Sequence, residues 1–326
     1  MKAITYHRYG GPEVLGLQEV EVPAVDESSV LVRVRAAAAN PYDWHFMRGE
    51  PYFMRLMFGL RAPKRTGLGV DFAGEVEAVG RGVSGFAPGD RVYGLCDGAF
   101  AEYVACPAAD LAIMPATLTF EQAAAVPLAG LTALQGLRDA GQLQAGQRVL
   151  IVGASGGVGS FAVQIAKALG AHVTGVCSTP NVAMVRALGA DAVIDYTQED
   201  FTHGAQRYDV IFQLGGMESP AACRRALTPQ GILVLSSGDS NGRVIGPMNR
   251  IMQAALLSPF VGQTLAVLDV KRSRADLEHL ASLIDGGSVK PIVERTLPLR
   301  EVPEAIRLVE EGHARGKVVI SLAESQ

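Results

Sequence analysis

Between positions 148 and 177 the apolar pattern changes period twice. Val149 to Val152 form a continuous apolar run, as in a parallel strand buried on both faces. A glycine-rich turn follows, and then Val158, Ala162, Ile165 and Leu169 recur at the spacing of one helix face. His172-Val-Thr-Gly-Val-Cys177 resumes the strand pattern. The segment therefore predicts strand, turn, helix, strand.

The residues on either side read differently. In 29–35 apolar and polar positions alternate, as in a half-buried strand; 69–80 reads as strands broken at glycines; Pro88-Gly89-Asp90 is a turn before the next strand. Residues 1–122 thus predict a compact, barrel-like β region. From Phe120 helices are expected over 121–127, 132–140, 182–188 and 220–227, with strands at 192–195, 208–213 and 231–236. That alternation, running to about residue 258, implies a doubly wound parallel sheet. The tail predicts helices over 274–284 and 302–311 and a strand over 316–321; it is expected to return to the first domain. The fold class is α/β, with domains at 1–122 plus 259–326 and at 123–258, and a ligand expected in the cleft between them.

At 326 residues the chain is long enough for two domains, and its 48% hydrophobic content suits a large buried sheet. A net charge of −4 with no basic block argues against nucleic acid as a partner. Cys96, Cys106, Cys177 and Cys223 are scattered, so neither a zinc ribbon nor a disulfide framework is indicated. No stretch approaches a membrane span, and the first residues read as a strand rather than a signal peptide; a soluble, cytoplasmic protein is expected.

The turn carries the chemistry. Ala154, Ser155, Gly156, Gly157, Val158 and Gly159 follow a strand and open a helix, where bare backbone N–H groups and a helix N-terminus receive a pyrophosphate. Gly156 and Gly159 take the second and third glycine positions of the dinucleotide fingerprint, and Ala154 stands at the first, just after Gly153. The second strand ends in Cys177-Ser178-Thr179-Pro180-Asn181, with no carboxylate for a ribose 2′-hydroxyl. Hydroxyl and amide donors at Ser178, Thr179 and Asn181 suit a 2′-phosphate, so NADPH is expected over NADH. Capping of the next helix is the alternative role for Ser178 and Thr179. Arg186, Tyr196 and Lys317 are supporting donors by spacing alone.

Several further motifs hold a consistent order: Asn40-Pro-Tyr-Asp43, Gly67-Leu-Gly-Val-Asp-Phe-Ala-Gly74, Val126-Pro-Leu-Ala-Gly-Leu-Thr132, Leu188-Gly-Ala-Asp191 and Gly316-Lys317. With the glycine turn, they make the chain resemble the medium-chain dehydrogenase/reductase superfamily over its full length, and most of all its zinc-independent quinone oxidoreductase branch. The resemblance implies a GroES-like β-barrel domain with an inserted Rossmann domain, and a homodimer joined at Rossmann edges. Zinc-dependent members supply a catalytic cysteine near position 40 and a histidine near 70–71. This chain has neither, and His45 reads as a histidine that finds a local hydrogen bond, so no zinc is expected.

Without a Lewis acid, reduction of a quinone or an α,β-unsaturated carbonyl is the expected chemistry, because conjugation carries the incoming electron pair onto an oxygen. Asn40, Tyr42 and Tyr52 are the candidate catalytic residues, as orienting amide and hydrogen-bond donors; Asp43 is read as fixing the loop. The resemblance further implies coenzyme contacts at Thr132, Leu214, Gly215, Ser236, Ser237, Phe260 and Val261. The aromatic and Met-rich run over 50–58 reads first as core and second as the wall of an apolar substrate pocket. A metal-free alcohol dehydrogenase and a non-catalytic NADPH-binding protein are the alternative functions.

Overall fold

The computed structural model describes residues 1–216, 218–236, 248–258, 261–312 and 314–322, and of Met248 the backbone alone. The chain divides into two compact units, 1–131 with 271–287 and 291–326, and 132–270 with 288–290.

The first unit holds β1 (Lys2–Thr5), β2 (Gly16–Glu19), β3 (Ser29–Ala39), α1 (Pro41–Arg48), α2 (Arg55–Phe58), β4 (Asp71–Val79), β5 (Arg91–Leu95), β6 (Tyr103–Pro107), β7 (Leu111–Ile113), α3 (Phe120–Ala124) and the start of α4 (Pro127–Gln135). The chain continues through β8 (Arg148–Val152), α5 (Gly157–Ala168), β9 (His172–Cys177), α6 (Val182–Ala187), β10 (Ala192–Asp195), β11 (Tyr208–Gln213), α7 (Pro220–Arg225), β12 (Leu227–Leu235), α8 (Met248–Leu257) and β13 (Thr264–Val267) in the second. It then returns to the first as α9 (Arg274–Asp285), β14 (Val293–Pro298), α10 (Val302–Glu310) and β15 (Lys317–Ser321).

In the first unit the strands run β14-β15-β3-β4-β5-β7, with β6 also paired to β3. β3 is the spine of this sheet. Its alternation is real at Arg33 and Arg35, which are half-exposed, but the strand runs on through Ala36–Ala39, which β4 and β15 cover from both sides. The break expected at Gly74 does not occur. A Cβ there would lie 2.1 Å from the Arg33 carbonyl oxygen, so the glycine admits a close strand rather than ending one. Val30, Val32, Phe72, Val92, Phe100, Ile306 and Ile320 pack into the core of this unit.

The second unit is a six-stranded sheet in the order β10-β9-β8-β11-β12-β13, every pair parallel. Counted from β8, that is the doubly wound order 3-2-1-4-5-6, whose direction reverses between β8 and β11. The boundary expected at 258/259 falls after Val270 instead. The sixth strand, β13, pairs with β12 and so belongs to this sheet. The other boundary, expected at 122/123, falls inside α4, between Leu131 and Thr132.

Candidate functional site

At the switch point of the second unit the glycine turn leaves β8. Gly153, not Ala154, makes the tight turn: its φ is +88°, a left-handed conformation that favours glycine. Gly159 sits where a Cβ would lie 2.1 Å from the Gly153 carbonyl oxygen, so α5 packs directly on the turn. Gly156 differs. It precedes α5 in extended backbone, and a Cβ there would meet only the Gly153 oxygen, at 3.6 Å. Ala154 is buried, while Ser155, Gly156, Gly157 and Val158 are partly exposed at the helix start. Leu214 and Gly215 follow β11 beside them. Leu214 N–H donates to the Val152 carbonyl (3.0 Å), and Gly215 N is what a Gly153 Cβ would meet first.

The end of β9 is polar. Asn181 Nδ2 donates to Ser155 Oγ and to Ser178 Oγ, each at 3.2 Å. Neither Ser178 nor Thr179 caps α6 with its side chain. Thr179 does not present its hydroxyl hydrogen to a ligand as expected, because it donates to Asp195 Oδ2 at 2.6 Å. Residues 177–181 contain no carboxylate, yet the parallel register sets Asp195 level with Cys177 and so delivers one. That carboxylate is occupied: besides Thr179 it accepts from the Thr197 N–H and hydroxyl and from Gln198 Nε2, and these donors hold it below the usual carboxylate range. Tyr196 is exposed, and its N–H donates to the Cys177 carbonyl.

A second polar cluster lies inside the first unit. Lys317, at the start of β15, bonds Asn40 Oδ1 and, at 3.0 Å, Asp71 Oδ2. Asn40 Nδ2 donates to Asp71 Oδ2 (3.0 Å) and to the Ala38 carbonyl (3.1 Å). The Leu128 N–H donates to Asp71 Oδ1 (2.8 Å). Asp71 is 0% and Lys317 4% exposed. The Lys317 ammonium, expected among the coenzyme donors, is held inside the first unit by two side-chain partners. Asn40 is likewise engaged through both ends of its amide, which suits a residue that fixes Lys317 rather than one that orients a substrate. Asp71 is absent from the expected site residues, although it stands in the Gly67–Gly74 motif.

Asp43 fixes the turn at the start of α1. Its Oδ2 accepts the Asn40 N–H at 2.8 Å, three residues back. The side chain is fully buried and Oδ1 has no hydrogen-bond partner. Burial, reinforced by the Asp71 charge and opposed by the Asn40 N–H and Lys317, pushes its pKa up to about 7.

Tyr42 and Tyr52 keep exposed rings. Tyr42 stacks on Phe46 (centroids 4.3 Å), and Phe46 meets Phe58 edge-on (4.6 Å). The Arg55 guanidinium lies 4.6 Å from the Tyr52 ring centroid and 4.5 Å from that of Tyr9. The aromatic run is not core, as first expected: Leu56 is 75% and Met57 67% exposed, and Phe53 and Leu60 are exposed beside them. His45 Nδ1 lies 2.9 Å from the Glu50 carbonyl oxygen, the local bond its position suggested, although it sits on α1. Thr132 is buried in α4, Ser236 follows β12 with its N–H on the Gln213 carbonyl, and Val261 precedes β13. Ser237 and Phe260 lie outside the described residues. A hollow lined by Gln142, Gln147, Asp209 and Thr228 opens near the N-terminal ends of β8 and β11, away from the glycine turn.

Two family models match: the alcohol dehydrogenase GroES-like domain over residues 26–116 and the zinc-binding dehydrogenase over 188–320. The chain is 34% identical to the mouse (Mus musculus) mitochondrial NAD(P)H oxidoreductase RTN4IP1, covering 99% of this chain and 89% of that protein. It is also 34% identical to the chloroplastic NADPH-dependent alkenal/one oxidoreductase of Arabidopsis thaliana, covering 98% and 79%. Among solved structures, Escherichia coli quinone oxidoreductase complexed with NADPH superposes with a TM-score of 0.84 at 28% identity, covering 98% of this chain and all of that one. The residues here do not fit the zinc ion that one of these models implies. Among the described residues no three His, Cys, Asp or Glu side chains come together. Where two carboxylates do approach, at Asp43 and Asp71, the Lys317 ammonium already supplies the cation.

Proposed function

The chain belongs to the quinone oxidoreductase-like branch of the medium-chain dehydrogenase/reductase superfamily and is an oxidoreductase; from that premise we propose that it uses NADPH, without zinc, to reduce quinones or α,β-unsaturated carbonyl compounds. One observation carries the choice of coenzyme. The Ser155 hydroxyl on the glycine turn and the Ser178 hydroxyl at the end of β9 share Asn181, and Asp195, the acid level with the end of β9, is occupied by four donors. A 2′-phosphate there meets hydroxyl donors rather than an open carboxylate.

In this reading the backbone N–H groups of the turn and the N-terminus of α5 hold the diphosphate, and Ser178 holds the 2′-phosphate. Bound NADPH supplies the hydride. A conjugated acceptor spreads the incoming electron pair onto an oxygen, so the protein has only to orient the acceptor and donate a hydrogen bond to that oxygen. Tyr42 and Tyr52 are the donors on the first unit, and their hydroxyls have no partner among the described residues. Phe53, Leu56, Met57 and Leu60 offer apolar surface to a quinone ring or an enone chain. The homodimer expected from the sequence belongs to the same reading, with β13, one of the two edge strands, as the edge a second copy would pair. So does a cytoplasmic site of action; among the described residues no helix is long and apolar enough to cross a membrane.

The test is a coenzyme and acceptor panel. Loss of reduced-coenzyme absorbance is followed with NADPH and NADH against a benzoquinone, an enone and a saturated aldehyde, on protein assayed for bound metal. Turnover of the first two acceptors with NADPH, by metal-free protein, is expected. Saturable coenzyme binding with no turnover on any acceptor would replace the proposal with a binding role.

A further inference from the structure

One amide sets two hydroxyls. Asn181 Nδ2 reaches both Ser155 Oγ, on the glycine turn, and Ser178 Oγ, at the end of β9, each at 3.2 Å. These serines are 23 positions apart in the chain. An amide nitrogen brings two hydrogens and donates both. Each serine oxygen is therefore an acceptor toward Asn181, and each must turn its own hydrogen away from it. Neither hydroxyl has a second partner among the described residues.

Thr179, next to Ser178 in the chain, provides the contrast. Its hydroxyl donates inward to Asp195 and is unavailable. An acid at position 181 would act on both serines as Asp195 acts on Thr179, drawing their hydrogens in. An amide nitrogen does the reverse.

We infer that Asn181 is a positioning residue: through its side-chain N–H groups it aims the Ser155 and Ser178 hydroxyls outward as paired donors for phosphate oxygens, Ser155 to the diphosphate and Ser178 to a 2′-phosphate. This rests on the coenzyme reading above and deepens it. Preference for the phosphorylated coenzyme then depends on a residue that need not touch the phosphate.

The test is equilibrium binding, read without turnover. NADPH and NADH are titrated by fluorescence, and 2′,5′-ADP and 5′-ADP compete, against the parent and the variants Asn181→Ala, Asn181→Asp and Ser178→Ala. Asn181→Asp should weaken NADPH and 2′,5′-ADP by about 100-fold, and NADH and 5′-ADP by about 10-fold or less, as expected for losing charge-assisted hydrogen bonds and adding a repelling acid. Asn181→Ala should cost about 10-fold on the 2′-phosphate ligands, and adding Ser178→Ala should cost little more, because the two act as one unit. Ser178→Ala alone removes only a partly exposed hydroxyl, so it tests the idea even if a change at position 181 disturbs the fold. Parent-like NADPH affinity in both Asn181 variants, or losses that simply add, would overturn the inference and leave the coenzyme reading standing. A parent chain that binds neither coenzyme would overturn that reading, and the inference with it.

Discussion

The two polar clusters of this protein are built from similar residue types and do opposite things. In the first unit Asn40, Asp71 and Lys317 lie buried among one another, with the Leu128 N–H and Ala38 carbonyl completing the set. In the second unit Ser155, Ser178 and Asn181 also bond one another, but two hydroxyl hydrogens are left over. A set of buried, paired charges holds a fold in one arrangement; a set with unused donors at a partly exposed strand end is a place for a ligand. The presence of polar residues does not identify a site. Whether the donors left after the internal bonds are made stand buried, as at Lys317, or partly exposed, as at Ser155 and Ser178, does.

If the first cluster is structural, breaking it should give the largest stability change in the molecule. Lys317→Met leaves the Asp71 carboxylate buried without its cation, and loss of one partner of a buried pair costs about 3–5 kcal/mol. The only tryptophan, Trp44, lies on α1 and reports on this unit, so urea unfolding followed by its fluorescence is the measurement. Adding Asp71→Asn should recover a large part of the loss, because no bare charge then remains. A single variant within about 1 kcal/mol of the parent would mean the cluster carries no such weight.

Asp43, beside that cluster, gives a pH signature that the second unit lacks. Its carboxyl has a pKa of about 7 when folded against 3.8 ordinarily. Between those values the folded state keeps a proton that the unfolded chain releases. Stability from this group is thus complete below the ordinary value, falls as pH rises through the window, and is flat above about 7. The slope is at most about 1.4 kcal/mol per pH unit. Asp43→Asn should flatten it while still accepting the Asn40 N–H through its amide oxygen. Trp44 melts of parent and variant across pH 4 to 8 make the comparison, and identical pH profiles would show that Asp43 does not hold its proton.

How far each region could be seen in the sequence follows from distance along the chain. The glycine turn was legible because all of its parts lie within Gly153–Gly159 and the flanking periods announce a strand and a helix. The doubly wound sheet followed from the same local alternation. The buried cluster was not legible, because Lys317 meets residues 277 and 246 positions away, and only the β15–β3–β4 register brings them together. Lys317 is therefore read from spacing alone as a coenzyme donor. Asp195 was missed for a related reason: it reaches Thr179 across parallel strands, 16 positions on. Leu56 and Met57 misled differently, since an apolar run reads as core unless the fold leaves it uncovered.

The glycines of the turn separate fold from binding within the second unit. Gly159→Ala drives a methyl against the Gly153 carbonyl and should destabilise this unit by about 1–3 kcal/mol while weakening coenzyme binding. Gly156→Ala meets only an ordinary contact and has a backbone that alanine accepts, so stability should hold. Its methyl projects where the diphosphate backbone must come close, and coenzyme affinity should fall by about 10-fold. Paired melting and coenzyme titration read both quantities. Equal affinity in the Gly156 variant and the parent would move the phosphate site away from this turn.

The smallest expected effect bears on the acceptor. Tyr52 has an exposed ring held by Arg55 on one side and a hydroxyl without an internal partner. Tyr52→Phe keeps the ring and its packing and removes only the donor, so stability should be unchanged. A quinone accepts electrons readily, and its product oxygen needs little help from a proton donor. The enolate formed from an enone is more basic and gains more from a hydrogen bond as its charge develops. Turnover on an enone should therefore fall by about 3- to 10-fold, the worth of one modest hydrogen bond, and turnover on a quinone by less than about 2-fold. The two acceptors share one coenzyme and one variant protein, so their ratio cancels any change in coenzyme binding. An unchanged ratio would remove Tyr52 from the chemistry and leave Tyr42 as the donor on the first unit.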